Sequence, residues 1–171
     1  MRRSSVCLYL MLSMAACEGF QCYCPSSSED EGVGVIEGLD TSEKGITAFV
    51  KEGRYKSWLT QSEPTSSSEV LHPSKVRVFF NPIVAASLRA GGNEPHPKGS
   101  IIVMEGYEDT GGLTDHAVSV KIEEGGGEET WIFYLGYAPD YESVYYARGH
   151  ITCSTCHVEG RDYVKSQLPA P

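Results

Sequence analysis

The residues best suited to chemistry lie near the end of the sequence, in the segment Cys153-Ser154-Thr155-Cys156-His157. This Cys-x-x-Cys-His motif is the signature of covalent haem attachment. Thiols three residues apart can reach the two vinyl groups on one edge of a porphyrin, and the imidazole that follows then lies under the iron. The motif therefore predicts one haem c, held through Cys153 and Cys156, with His157 as the proximal ligand of the iron.

Two other interpretations of the motif stay open. In the first, Cys153 and Cys156 form a disulfide and His157 is incidental, which describes a non-haem surface lipoprotein. In the second, the motif belongs to a zinc site, although the sequence has no second Cys pair or His pair at the usual spacing.

The position of the motif in the sequence indicates which residues are available as a second axial ligand of the iron. His157 lies close to the end of the 171-residue sequence, and no methionine follows it. Met104 is the only methionine after the N-terminal apolar stretch, and it falls in a pattern typical of a half-buried strand. We therefore expect a five-coordinate iron or a weak distal ligand, which favours binding or redox chemistry of small molecules. The alternative is an electron carrier without substrate chemistry.

The charge balance excludes one class of partner. The sequence has 23 acidic and 14 basic residues and a net charge of −9. Nucleic-acid-binding proteins normally carry a basic surface, so we expect no nucleic-acid partner.

The first residues have the layout of an export signal. Arg2 and Arg3 precede an apolar stretch over residues 6–16, and such a stretch predicts a secretory signal peptide over residues 1–16. The end of the stretch resembles a bacterial lipobox, so Cys17 is predicted to be the first mature residue and to carry a lipid anchor. An ordinary signal peptide with Cys17 incidental is the alternative.

Residues 17–38 are rich in serine and acidic side chains and are predicted to be a disordered tether. Cys22 and Cys24 lie in it, and for them a partner disulfide, a lipid and a free thiol all stay open.

The rest of the chain, residues 39–171, is predicted to be one domain. Thr41 or Ser42 begins a helix with Ile46, Phe49 and Val50 on one face, and Gly53 ends it. The elements expected after it are a strand over 75–80, a short helix over 83–90, and strands over 100–107, 117–122, 130–135 and 145–147. This pattern predicts an α+β fold that is mainly β, with a curved antiparallel sheet of about five strands, a few short helices and the haem-attachment segment at its C-terminal end.

Residues 40–168 resemble the cytochrome P460 family, which includes the β-type cytochromes c′. The resemblance rests on Tyr55 and Trp58, on the segments 76–81 and 97–105, and above all on the segment 153–164. It implies a P460-type haem domain over residues 39–171, a periplasmic location in a Gram-negative bacterium, one haem per chain and a homodimer. True P460 enzymes oxidise hydroxylamine and have a lysine joined to the porphyrin, whereas the β-type relatives bind nitric oxide in an apolar pocket.

The resemblance also suggests residues for the distal pocket. Lys75 precedes the strand that resembles the family's distal wall and is the candidate for a haem cross-link; a solvated lysine is the alternative. Glu105 is the candidate carboxylate that accepts protons from hydroxylamine. Arg77 and Phe79 share a face with Lys75 and are candidates for contacts with the haem. His72, just upstream, is a further residue that could approach the pocket.

The sequence thus predicts an exported mono-haem cytochrome that binds or oxidises small nitrogen species such as hydroxylamine or nitric oxide. Whether it is an enzyme or a gas-binding protein stays open, as does the identity of its redox partner.

Overall fold

The computed structural model describes residues 35–67 and 71–170. The predicted signal peptide, its lipid anchor Cys17, and Cys22 and Cys24 all lie outside the described residues. The described chain begins with a hairpin of β1 (Val35–Ile36) and β2 (Leu39–Asp40). The last residues of the predicted tether therefore take part in a strand pair.

Helix α1 (Glu43–Glu52) has the termini that the sequence predicts. Ser42 accepts a hydrogen bond from the amide of Gly45, which satisfies one of the unpaired N–H groups of the first turn. Gly53 ends the helix in the left-handed conformation, with φ of 65°. The apolar face of α1 is buried, and a 3₁₀ turn over Arg54–Ser57 follows it and buries Tyr55 completely.

One antiparallel sheet organises the rest of the described chain. Its strands are β3 (Leu59–Thr60), β4 (Thr65–Ser66), β5 (Lys75–Phe80), β6 (Ile101–Tyr107), β7 (Leu113–Lys121), β8 (Trp131–Tyr137) and β9 (Ser143–Arg148). Their order is β3-β5-β6-β7-β8-β9, and β4 also pairs with β5. The sheet is not closed into a barrel.

Helix α2 (Pro82–Ala90) connects β5 to β6 and is fixed by one side chain. The Oδ1 atom of Asn81 accepts hydrogen bonds from the amides of Val84 and Ile101, at 3.0 and 3.1 Å. Its Nδ2 atom donates to the carbonyl of Gly99 at 2.7 Å. Asn81 therefore caps the helix and also joins it to the start of β6.

Each face of the sheet has its own apolar core, because side chains alternate along the strands. On one face, Phe79 and Val103 pack with the buried side of α1. On the other, Val78 and Ile102 pack with α2. We call these the α1 face and the α2 face.

The structure confirms the predicted α+β, mainly β fold with an antiparallel sheet. All five predicted strands are present as β5 to β9, and their bounds differ from the predictions by a few residues. The short strands β3 and β4 were not predicted. Helix α3 (Ile151–His157) carries the Cys-x-x-Cys-His motif. Among the described residues, no helix has the length and apolar character needed to span a membrane.

Candidate functional site

The two cysteines and the histidine of the motif share one helix, which brings them to the same place. Cys153 and Cys156 are three residues apart on α3, so they lie on one side of it. Cys153 is half-buried, Cys156 is exposed, and both are free thiols. Burial, with a smaller contribution from Cys156, raises the pKa of the Cys153 thiol to about 11. Cys153 is therefore an uncharged thiol at neutral pH.

All three residues line a cavity of about 400 Å³ on the α2 face of the sheet. Val78, Met104, Ala117 and Phe133 also line it, from the four successive strands β5 to β8, so its wall on the sheet side is apolar. The size is within the range of pockets that hold small molecules and cofactors.

A hydrogen bond fixes the His157 ring at this cavity. Its Nδ1 atom lies 2.9 Å from the backbone carbonyl of Tyr163. Since a carbonyl oxygen only accepts, Nδ1 carries the proton, and Nε2 is the nitrogen with a lone pair. Imidazoles that bind metals are commonly oriented by such a bond to a backbone carbonyl. The Phe133 ring packs against His157, with centroids 5.6 Å apart.

The carbonyl that receives this bond belongs to a tight turn after α3. Asp162 and Tyr163 have φ of 45° and 66°, a conformation that non-glycine residues seldom adopt. Gly160 is needed for the same turn, because a Cβ there would lie 2.3 Å from the backbone carbon of Val164. The turn is therefore strained and closely packed.

A buried ion pair holds the turn on the sheet. The Nζ atom of Lys121, which is fully buried, lies 2.6 Å from Oδ2 of Asp162 and 2.6 Å from Oγ1 of Thr130. The Trp131 ring lies under the ammonium group, 5.0 Å away. The backbone amide of His96 donates to the same carboxylate oxygen at 2.9 Å. Asp162 thus connects the turn to β7 and to the segment before β6.

Arg161 attaches the turn to α2. Its guanidinium donates to the carbonyls of Ser87 and Gly91 near the end of that helix. It also lies 3.1 Å from Nδ1 of His96. Burial, then the charge of Arg161, lowers the pKa of His96 to about 4, so this imidazole is neutral at physiological pH.

A second cluster of polar side chains is buried on the α1 face. Glu105 is 3 % exposed and accepts hydrogen bonds from the hydroxyl groups of Tyr55, at 2.5 Å, and Tyr107. The Tyr55 oxygen also lies 2.6 Å from Nε2 of His116. Burial acts to raise the pKa of Glu105, but the His116 imidazole 3.8 Å away and the hydrogen bonds from Tyr107 and Tyr55 outweigh it and lower the pKa to about 2. Glu105 is therefore ionised.

The four predicted distal residues lie together on the α1 face, and none of them is among the residues that line the cavity. Lys75, Arg77 and Phe79 share the α1 face, and Glu105 is directly opposite Arg77 in the register of β5 and β6. Lys75 donates to the carbonyl of Asp109 at 3.0 Å. The cavity beside the motif is on the opposite face. The reason for this placement is the alternation of side chains along β5 and β6.

The cavity instead brings together residues that strand alternation puts on the α2 face, and one histidine from outside the strands. His72 lines it, and its ring centroid is 6.3 Å from that of His157. Sequence reasoning missed Lys121 as the partner of Asp162, because a lysine in a strand gives no signal of burial. The segment Gly160-x-Asp162-Tyr163 lies in the range 153–164 that carries the resemblance, and its structural role is the tight turn that holds the Tyr163 carbonyl.

The residues at the cavity fit a covalently attached haem. Two thiols and an imidazole converge on an apolar space, and the imidazole has the tautomer that presents Nε2 to a metal. Among the described residues, no three His, Cys, Asp or Glu side chains are grouped so as to hold a bare metal ion.

The comparisons with known proteins add no relative. No protein-family model matches the chain, and no curated protein sequence matches it significantly.

Proposed function

We propose that this protein is an exported c-type cytochrome that binds or oxidises small nitrogen species, with hydroxylamine and nitric oxide as the candidates. The observation that carries the proposal is the convergence of Cys153, Cys156 and His157 on one apolar cavity. The haem would supply an iron centre able to bind small ligands and exchange electrons. The choice of nitrogen species rests on the resemblance to the cytochrome P460 family.

Each part of the site has a distinct task in this proposal. Cys153 and Cys156 would form the two thioether bonds, and His157 would bind the iron through Nε2 while its Nδ1–H group donates to the Tyr163 carbonyl. Phe133 and Met104 exclude water from the cavity and favour small uncharged ligands over larger polar ones. The Lys121–Asp162 pair keeps the Tyr163 carbonyl in position.

The wider setting of the protein is part of the proposal. We propose a periplasmic location, with attachment to the membrane through a lipid on Cys17, an unidentified redox partner and a homodimer. Exposed apolar side chains next to the motif, such as Ile151 at 71 % and Val158 at 58 %, are suited to a subunit contact.

The test is an absorption spectrum of the full chain made with a c-type maturation system. We expect a covalent haem whose ferrous spectrum changes saturably on addition of one nitric oxide per haem. Hydroxylamine added with an electron acceptor then separates the two roles, since only an enzyme consumes it. The variant Thr155→Ala, at an exposed position between the cysteines, is the matched control. A protein without haem, or a haem that binds neither compound, would overturn the proposal.

A further inference from the structure

His72 lies at the cavity in a specific relation to His157. Its ring centroid is 6.3 Å from that of His157, and the two ring planes make an angle of 74°. His72 comes three residues before β5, and both imidazoles line the same cavity. At this centroid separation the two rings do not stack on each other, but both can bind one metal ion that lies between them.

The distance between the two ring centroids can be compared with the distance expected when two histidines bind opposite sides of one iron. A metal–imidazole bond is about 2 Å long, and the ring centre lies about 1 Å beyond the nitrogen, so two imidazoles on opposite sides of one iron have centroids about 6 Å apart. The observed separation agrees with this value. Met104, which also lines the cavity, is by contrast a half-buried strand residue that packs with the apolar core of the α2 face.

A buried carboxylate lies next to His72. Asp115 is 2 % exposed on the α2 face, and a Cβ added to Gly106 would meet both Asp115 and Pro73, the residue after His72. Thr114 donates to Oδ2 of Asp115 at 2.8 Å, whereas Oδ1 is buried without a hydrogen-bond partner among the described residues. Burial raises the pKa of Asp115, while Thr114 and the charge of His72 act against the rise.

A carboxylate beside an imidazole is a recurrent arrangement around metal-binding histidines. It orients the ring and increases the basicity of the nitrogen that binds the metal. His157 has a hydrogen-bonded acceptor of this kind in the carbonyl of Tyr163. Asp115 acts on His72 through its charge, since its Oδ2 atom accepts from Thr114.

We infer that His72 is the sixth ligand of the haem iron, opposite His157, and that Asp115 is its positioning residue. This inference rests on the proposed function, because it requires the haem at the motif. It assigns a resting state in which both axial positions are filled by histidine, in place of the five-coordinate iron or weak distal ligand that the position of the motif in the sequence leads us to expect. A small nitrogen ligand then binds only in competition with His72.

The test is the spin state of the ferric protein, measured by absorption and electron paramagnetic resonance spectra on the haem-loaded full chain. We expect the wild type to be six-coordinate and low-spin, with the highly anisotropic signal that nearly perpendicular imidazole planes produce. His72→Ala should be high-spin, and free imidazole should restore the low-spin spectrum. Ser74→Ala changes an exposed side chain two residues further along the chain, outside the cavity, and should stay low-spin.

Ligand affinity gives a second readout that does not depend on activity. If His72 occupies the iron in nine of ten molecules, His72→Ala raises the apparent affinity for added imidazole about tenfold. Asp115→Asn should raise the apparent affinity for added imidazole by a smaller factor and leave the amount of bound haem unchanged.

The possible failures can be told apart. A high-spin wild type, or a His72→Ala variant that stays low-spin without added imidazole, overturns the inference and leaves the proposed function standing. A chain that acquires no covalent haem overturns the proposed function and this inference with it.

Discussion

His157 and Tyr163 are joined by a 2.9 Å hydrogen bond from an imidazole nitrogen to a backbone carbonyl, across six residues of sequence. This bond makes the orientation of the histidine depend on the turn that follows α3. The position of that turn depends on the buried ion pair between Asp162 and Lys121 of β7. The motif is thus connected to the sheet through this hydrogen bond and this ion pair, and each can be tested.

Gly160 should be sensitive to the smallest substitution. In Gly160→Ala the new Cβ would lie 2.3 Å from the backbone carbon of Val164, so the turn has to open. We expect a loss of about 1–3 kcal/mol in the free energy of unfolding, as for other overpacked sites. Gly126→Ala is the matched control, since its Cβ would come no closer than 3.5 Å to Pro95. Equal thermal stability of the two variants would contradict this account of the turn.

Lys121 should stabilise the protein through Asp162. Lys121→Met leaves a buried carboxylate without its cation, which we expect to cost about 3–5 kcal/mol in the free energy of unfolding. Urea denaturation measures this. The double variant with Asp162→Asn removes both charges and should be more stable than the single one.

An exposed ion pair near the motif is the control for Lys121. Glu159 is 74 % exposed and lies 3.2 Å from Lys165, so Glu159→Gln should cost less than about 1 kcal/mol. If Lys121→Met cost no more than Glu159→Gln, the proposed role of the buried pair would be wrong.

Glu105 should make the stability depend on pH in acid. Its pKa is lowered from 4.5 to about 2 in the folded protein. Its contribution is therefore complete above the unfolded pKa near 4.5 and is lost as the pH falls through about 2, and its size is of order 1–3 kcal/mol. Thermal unfolding between pH 5 and pH 2 should show a smaller fall in Tm for Glu105→Gln than for wild type. The exposed Glu142→Gln should follow the wild type, and identical slopes for all three would refute the assignment.

Lys75 should not affect the haem spectrum. Its ammonium group donates to the carbonyl of Asp109 and belongs to the α1 face, while the motif is at the cavity of the α2 face. We expect Lys75→Ala to keep the position of the ferrous Soret band. A strongly red-shifted band in the wild type that disappears in this variant would show a cross-link and contradict the placement.

The periodicity of a strand predicts which side chains share a face of the sheet. The alternation in 75–80 correctly grouped Lys75, Arg77 and Phe79 on one face, because the period of a strand is two. The alternation does not predict which face of the sheet the Cys-x-x-Cys-His segment covers, since that depends on where α3 packs. Periodicity therefore predicted the set of neighbours but not their relation to the motif.

For a related reason, the sequence alone does not predict polar contacts between residues that are far apart in the chain. Lys121 and Asp162 are 41 residues apart and form a buried pair, whereas each residue alone has the composition of a surface position. The resemblance suggested His72 as a residue that could approach the pocket, but its spacing from His157 depends on the fold. In contrast, the spacing within Cys153 to His157 is a local property, so the motif could be interpreted without the fold.

The most direct test of the central claim is the intact mass of the exported chain after expression with a c-type maturation system. The account predicts that wild type and Thr155→Ala gain the mass of one haem that denaturant does not remove. It predicts that a variant with Cys153→Ala and Cys156→Ala gains none. A wild-type chain without haem, with Cys153 and Cys156 joined as a disulfide, would contradict it.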